Sequence, residues 1–282
     1  MVNMKYYDFN NQVKKQDINL VFPEWKNSEE TIVVFAPHDD DAVLGAGYIL
    51  TAAQRSGAEC YVFIFCNGSC GYSQKEQKDE IVEIRKKETV NAYQKMDIEK
   101  EHLIRFEYPD FSAYSRIGWK LPGGKKGNLE KTIKKLREIN ATRVIIPNGY
   151  REHFDHKAVN MMGVYDVPQA GDPVAIDWGE PADIKSVLIY SVWADFSPED
   201  ALKNDRDTKI RANCALEVDP EVEDRIIAAV KEYKSQAQII ENLIEQRKRK
   251  KIKNNYLELY QKIDPRPQLD YNPYIKLIKE RF

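Results

Sequence analysis

Little in this chain calls for a crosslink, a membrane or a polyanion. Four cysteines stand among 282 residues, and Cys60, Cys66, Cys70 and Cys214 form no C-x-x-C pair. No disulfide framework is called for, and reduced thiols in a cytoplasmic protein are the expectation. No run of about 18 apolar residues occurs and no apolar segment follows the first lysines, so neither membrane insertion nor export is expected. Neither sign of charge dominates, since 43 Lys+Arg oppose 45 Asp+Glu; the whole-molecule field gives no reason to expect nucleic acid or an anionic membrane as partner. A P-loop, a G-x-S-x-G elbow, internal repeats and low-complexity tracts are all missing. Gly45-Ala46-Gly47 lacks the third glycine of a dinucleotide fingerprint, and the three aspartates before it would repel a pyrophosphate. Histidine is scarce too, with four residues in all.

Three of those four lie in two acidic motifs more than a hundred residues apart, His38-Asp39-Asp40-Asp41 and His153-Phe154-Asp155-His156. The first follows the apolar run Thr31-Ile32-Val33-Val34-Phe35-Ala36 and precedes a helical pattern from Ala42. The second follows Arg143-Val144-Ile145-Ile146 and also leads into a helix-like stretch. Short β-branched runs of this kind read as buried parallel strands, so both motifs fall at carboxyl ends of strands, where open α/β sheets bind ligands.

The alternation continues along the chain. Strands are expected near 31–37, 60–66, 102–108 and 142–147, and helices over 42–56, 76–96, 128–139 and 155–164. A further strand is expected from Ser186 to Trp193, and a helix begins at Asp219-Pro220-Glu221 and runs to about Tyr233. Residues 1 to 30 read as irregular, 165–183 as a long loop that shapes a cleft, and about 236–262 as a charged helix followed by a proline-containing tail. The fold class predicted is α/β: a Rossmann-like, mostly parallel sheet with helices on both faces and a helical C-terminal extension. One domain spans 1–282, with its core at about 31–236 and its extension at about 237–282. The basic run Arg247 to Lys253 is expected to be a solvated helix face, because it lacks the interleaved aromatics of a nucleic-acid surface. Self-association is left open.

Zn²⁺ accepts imidazole nitrogen and carboxylate oxygen, and a catalytic site usually offers three protein ligands with one position open. His38 and Asp41, three apart across a strand-to-helix turn, can converge on one ion, and a histidine from 153–156 supplies the third ligand. Spacing alone does not choose between His153 and His156. An N-cap accounts for one aspartate of the triplet, not for three beside a histidine. A divalent cation neutralises what a helix end cannot. His102 precedes an apolar strand outside both motifs and is expected to make ordinary hydrogen bonds. The loop Asn67-Gly68-Ser69-Cys70-Gly71 is expected to be a flexible wall of the same cleft.

Ala36-Pro37-His38-Asp39-Asp40-Asp41-Ala42-Val43-Leu44-Gly45 together with His153-Phe154-Asp155-His156 resembles the PIG-L/LmbE-like family of zinc-dependent N-deacetylases. Arg85-Lys86-Lys87-Glu88 matches that family's R-x-x-E helix, and Ser235-Gln236 its S-Q helix end. The resemblance implies zinc, or another divalent cation, held by His38, Asp41 and His156, with Asp40 as general base. It further implies His153 as donor to the oxyanion, oriented and charged by Asp155. The chain departs from the common H-P-D-D-E pattern at Asp39 and Ala42, and Asp39 is left without a role.

The implied reaction is removal of an N-acetyl group from an amino sugar such as an N-acetylglucosamine conjugate. Arg85 and Asp110 are the candidates for binding sugar hydroxyls, and Tyr114, Trp119, Trp178 and Trp193 for stacking platforms. Two other readings stand beside it: a metal-dependent amidase of a thiol or nucleoside-type conjugate, and a non-catalytic binding module. Asp40 argues against the last, because a zinc-supported fold needs no base beside an open metal position.

Overall fold

The computed structural model describes residues 4–202 and 206–282. In chain order its strands and helices are β1 (Lys5–Asp8), β2 (Val13–Lys15), β3 (Thr31–Ala36), α1 (Asp41–Arg55), β4 (Glu59–Cys66), α2 (Ile81–Lys95), β5 (Leu103–Tyr108) and α3 (Leu129–Glu138). These are followed by β6 (Arg143–Pro147), α4 (Phe154–Ala170), β7 (Ser186–Tyr190), α5 (Pro198–Leu202), β8 (Cys214–Val218), α6 (Pro220–Val230), α7 (Ala237–Arg247), β9 (Lys251–Ile252), β10 (Asn255–Ile263) and α8 (Asn272–Arg281).

The strands form one sheet in the order β2-β1-β8-β10-β7-β6-β3-β4-β5, with β9 paired to β10. From β7 to β5 every pairing is parallel. From β10 to β2 every pairing is antiparallel. The parallel half is the expected Rossmann-like core. Its side chains alternate between two faces: Ile32, Val34 and Ala36 of β3 pack with α1, α2 and α6, whereas Val33 and Phe35 pack with α3 and α4. Full burial on both faces is why these strands read as continuous apolar runs.

Strand order reverses between β3 and β6, which are neighbours although the chain leaves them in opposite directions across the sheet. Their carboxyl ends therefore open a crevice at the switch point, and both histidine motifs start there. Gly45 brings α1 close to β7, since a Cβ at that position would stand 2.8 Å from the Ser191 carbonyl oxygen. The incomplete glycine fingerprint thus has a packing explanation.

Several expectations are corrected. Residues 255–263, read as helix, form β10, wedged between β8 and β7; the helical part of the C-terminal segment is α7 and α8. The N-terminal residues are not irregular, because β1 pairs with β8 and β2. Helix α4 continues to Ala170 and accommodates Pro168. The loop after it is tied down by Arg137, whose guanidinium donates to the carbonyls of Ala170, Asp172, Val174, Ala175 and Gly179 at 2.7–3.0 Å. The basic run is not one solvated face, since Arg247 is buried against Glu223.

Candidate metal centre and active site

His38 lies in the turn after β3 and Asp41 opens α1, while His156 lies in the first turn of α4, which follows β6. Asp40 occupies the N-cap position of α1 without capping it by its side chain. The carboxylate of Asp41 instead turns back, and its Oδ2 accepts the His38 backbone N–H at 2.7 Å. That same oxygen stands 3.2 Å from His38 Nδ1 and 3.1 Å from His156 Nε2. All three atoms lie within 4.8 Å of one another. Ligand atoms about 2.0–2.2 Å from one tetrahedral ion stand roughly 3.3 Å apart, so these separations suit a shared cation. His156 Nε2 is buried and has no hydrogen-bond partner; its approach to Asp41 lacks the alignment of a hydrogen bond. An orphaned imidazole nitrogen beside a carboxylate and a second imidazole is what a metal ligand looks like in the absence of its ion.

Two other groupings share His38, one with Cys66 and Asp110 and one with His153 and Asp155. Burial pushes the Cys66 thiol far up, so it offers no thiolate. Asp155 and His153 have their facing atoms engaged elsewhere: the Asp155 carboxylate accepts the backbone N–H groups of Phe111 at 2.7 Å and Ala113 at 3.2 Å. His153 Nδ1 accepts the Asp155 backbone N–H at 3.2 Å as the cap of α4.

A ring nitrogen can ligate only if the other one holds the proton, and two carboxylates assign those protons. Asp155 Oδ2 lies 3.3 Å from His38 Nε2, leaving Nδ1 to face the site. Glu152 Oε2 lies 2.5 Å from His156 Nδ1, leaving Nε2 to face it. Glu152 is itself fixed by the Ser191 hydroxyl at 2.6 Å and by the backbone N–H groups of Val192, Trp193 and Ala194 at 2.9–3.2 Å. Asp155 Oδ2 also stands 3.6 Å from His153 Nδ1, so the expected partner His153 shares this carboxylate with His38. Glu152 was not singled out from the sequence, although an acid four residues before His156 was the available signal.

The titration behaviour follows from this geometry. Burial opposes charge on His156, yet Asp41 and Glu152 carry it up to about 9. Burial likewise opposes charge on His38, which Asp155 and Asp41 hold well above its ordinary value. Asp41 is kept far below the usual carboxylate range, against burial, by the two imidazoles. Burial and the charge of His38 push His153 down, so it is neutral, with its proton on Nε2.

Asp40 borders the same cavity. Burial, with Asp41 beside it and Arg85 opposing, raises its pKa. Arg85 is itself buried, and its three nitrogens reach Asp39 Oδ2 at 3.4 Å, Asp40 Oδ1 at 3.2 Å and Gln236 Oε1 at 2.7 Å. The two lesser motifs meet here, because Glu88 receives the Ser235 N–H and hydroxyl, each at 2.7 Å. Asp39, without a role in the sequence, is buried between Arg85, Arg105 and the Thr89 hydroxyl. Its two arginines hold its carboxyl below the ordinary range in spite of burial.

Asp110 borders the cavity but spends its carboxylate on the backbone N–H groups of Gly68 at 2.9 Å and Cys70 at 2.8 Å. The loop 67–71 is a fixed wall rather than a flexible one. Gly68 is required there: its φ is +76°, and a Cβ would meet Asp39 Oδ2 at 3.0 Å.

The cavity holds about 250 Å³. Of the four aromatic candidates Trp193 alone lines it, and Phe111, which was not anticipated, joins it. Tyr114 stacks on Phe154, and Trp119 packs edge-on against Trp178. No residue of 165–183 is among its lining residues. His102 lies apart, beside Glu59 and Tyr61.

The family model described as PIG-L: GlcNAc-PI de-N-acetylase matches residues 33–165. No curated protein matches the sequence. Among solved structures, N,N'-diacetylchitobiose deacetylase from Pyrococcus horikoshii has a TM-score of 0.66 at 18% identity, over 88% of this chain and 88% of that one. The conserved protein TT1542 from Thermus thermophilus has 0.61 at 22% identity, over 86% and 98%. GalB, the 4-carboxy-2-hydroxymuconate hydratase of Pseudomonas putida, has 0.61 at 16% identity, over 86% and 99%. At these identities the likeness is one of fold. A deacetylase and a hydratase on one architecture leave the reaction to be argued from the site.

Proposed function

Taking as premise that residues 33–165 form a PIG-L family domain, we propose that this protein is a zinc-dependent hydrolase that removes an N-acetyl group from an amino sugar conjugate of the N-acetylglucosamine type. The observation that carries this reading is the convergence of His38 Nδ1, Asp41 Oδ2 and the unpartnered His156 Nε2 at the floor of a cavity bordered by Asp40 and His153.

His38, Asp41 and His156 would hold the ion, which when bound supplies Lewis acidity that brings the pKa of water toward about 7. The other steps belong to the protein's own residues. Asp40 takes the proton of the attacking water and returns it to the leaving amine, and its raised pKa suits a group that must do both. His153 presents Nε2–H to the oxyanion without needing to be charged, because its Nδ1 is occupied by the helix cap. Arg85 fixes the Asp40 carboxylate and also lines the cavity, where its guanidinium can meet a sugar hydroxyl. Asp110 lines the cavity and can accept from a sugar hydroxyl besides the two backbone N–H groups it holds, and Phe111 and Trp193, 58% and 50% exposed, can pack against the ring. Among the described residues no helix is long and apolar enough to cross a membrane. The reading places the enzyme in the cytoplasm, acting on a small-molecule conjugate.

Acetate release from N-acetylglucosaminides by zinc-loaded protein tests the proposal, with N-acylated thiol and nucleoside conjugates assayed alongside. Asp40→Asn should lower kcat by about 10²–10⁴ while zinc content stays at one per chain. Protein that takes up no zinc with His38, Asp41 and His156 intact would sink the reading.

A further inference from the structure

Arg105 and Asp39 form an ion pair that the proposed chemistry leaves unused, and neither residue lines the catalytic cavity. Arg105 projects from β5 with its side chain 16% exposed. Toward solvent its Nε meets Glu107 at 2.9 Å, and toward the interior its Nη1 meets Asp39 Oδ1. Its Nη2 is buried without a hydrogen-bond partner. Arg137 ties down a loop through five carbonyls, whereas the Arg105 guanidinium has no inward partner besides Asp39 among the described residues. What it brings to the interior is charge.

Asp39 is saturated on one side by that charge. Its Oδ1 accepts from Arg105 and from the Thr89 hydroxyl at 2.8 Å, while its Oδ2 meets Arg85 Nε at 3.4 Å. Charge-assisted bonds of this kind usually close to about 2.7–2.9 Å, so Asp39 draws Arg85 only weakly. The Arg85 guanidinium is fixed on two other sides: Nη1 donates to Gln236 at 2.7 Å, and its carbon lies 4.8 Å from the centre of the Tyr233 ring. The freedom left to it is a pivot between two carboxylates, Asp39 and Asp40. We propose that Arg105 is a positioning residue for the base: by neutralising Asp39 it leaves Arg85 to Asp40, whose Oδ1 receives Arg85 Nη2 at 3.2 Å. Without Arg105, the buried Asp39 has Arg85 as its one cation among the described residues. An uncompensated buried charge is costly, so Arg85 closes on Asp39 and releases Asp40. The inference rests on the deacetylase reading for the role of Asp40 as base. It also gives the departure from the H-P-D-D-E pattern a consequence, because the extra carboxylate at Asp39 requires Arg105.

The test combines kcat and zinc content, measured with an N-acetylglucosaminide as substrate, with crystal structures of the zinc-loaded variants. R105M should keep its zinc and lose about 10–100-fold in kcat, the scale of a misplaced catalytic group. R105K keeps the charge at a site with one inward contact, and should stay within about threefold of wild type. D39N/R105M removes the competing carboxylate together with its counterion, and should recover most of the loss. A residue that only supports the fold gives another order, with the double variant no better than R105M. Should R105M fail to fold, R105Q, uncharged yet able to donate to Asp39, takes its place with the same expected loss. Full kcat in the uncharged variant, or no recovery in D39N/R105M, overturns the inference. If wild-type protein hydrolyses no N-acetylglucosaminide, the deacetylase reading fails separately, and the crystal structures still decide the positioning. Arg85 moved from Asp40 to Asp39 in R105M or R105Q, and returned in D39N/R105M, supports it; Arg85 unmoved rejects it.

Discussion

Glu152 decides which nitrogen of His156 faces the centre, and it does so from a position with no motif of its own. Its carboxylate is buried, held by four donors from residues 191–194, and 2.5 Å from His156 Nδ1. Replacing one such orienting carboxylate usually costs about 10–100-fold in metal affinity. Glu152→Gln should weaken zinc by that factor in a competition titration against a chelator; unchanged affinity would show that the ring is held by packing alone. Asp39 teaches the converse lesson. In the sequence it was a surplus aspartate, whereas in the fold it is the counterion of the half-buried Arg105 and of Arg85, which is buried beside Asp40. Arg105 lies on β5 without any sequence signal, so that pairing was visible only in three dimensions.

At the scale of elements, the parallel strands were legible because burial on both faces writes itself as unbroken β-branched and aromatic runs. Strand β10 was not. Asn255–Ile263 carries Glu258 and Lys262, and Glu258 is buried, receiving Lys250, the Tyr260 hydroxyl and the Tyr48 backbone N–H. A buried charge in a central strand breaks the apolar pattern that marks one. Helix α8 is the opposite case, an amphipathic sequence of which no residue is buried. Ending the chain after Asn254 removes the strand that joins β8 to β7, and it should abolish cooperative thermal unfolding. Ending it after Gln268 removes α8 and should move Tm by less than about 2 °C. Calorimetry on the two truncations checks both, and a folded protein without β10 would contradict the topology.

Over the whole molecule, the centre couples metal, protons and stability. In metal-free protein His156 titrates near 9 against an ordinary value of 6.5. A raised pKa contributes stability that is fully present below 6.5 and lost as pH rises through 9. Asp41 and Glu152, both lowered, contribute a constant amount across that window. Asp166, raised to about 7, gives up its share at or below the lower end of it. Chelated protein should therefore lose Tm between pH 7 and 9. Under the proposed assignment, zinc binding should strengthen over the same range as the imidazole protons leave. The gap in Tm between zinc-loaded and chelated protein should widen with pH, and a constant gap in a pH series of thermal scans would contradict the assignment of the protonated pair.

The sequence by itself determined the parallel core, the two strand ends that carry the histidine motifs, and the residue types that can hold a cation, because each is written in local spacing and in runs of like side chains. Tertiary structure alone decided which histidine nitrogen faces which carboxylate, that Arg85 and Asp110 hold the walls of the site, and that a charged C-terminal segment completes the sheet. Those outcomes depend on partners far apart in the chain. A buried charge is stable only where a distant residue compensates it, and no local pattern records where that residue will be.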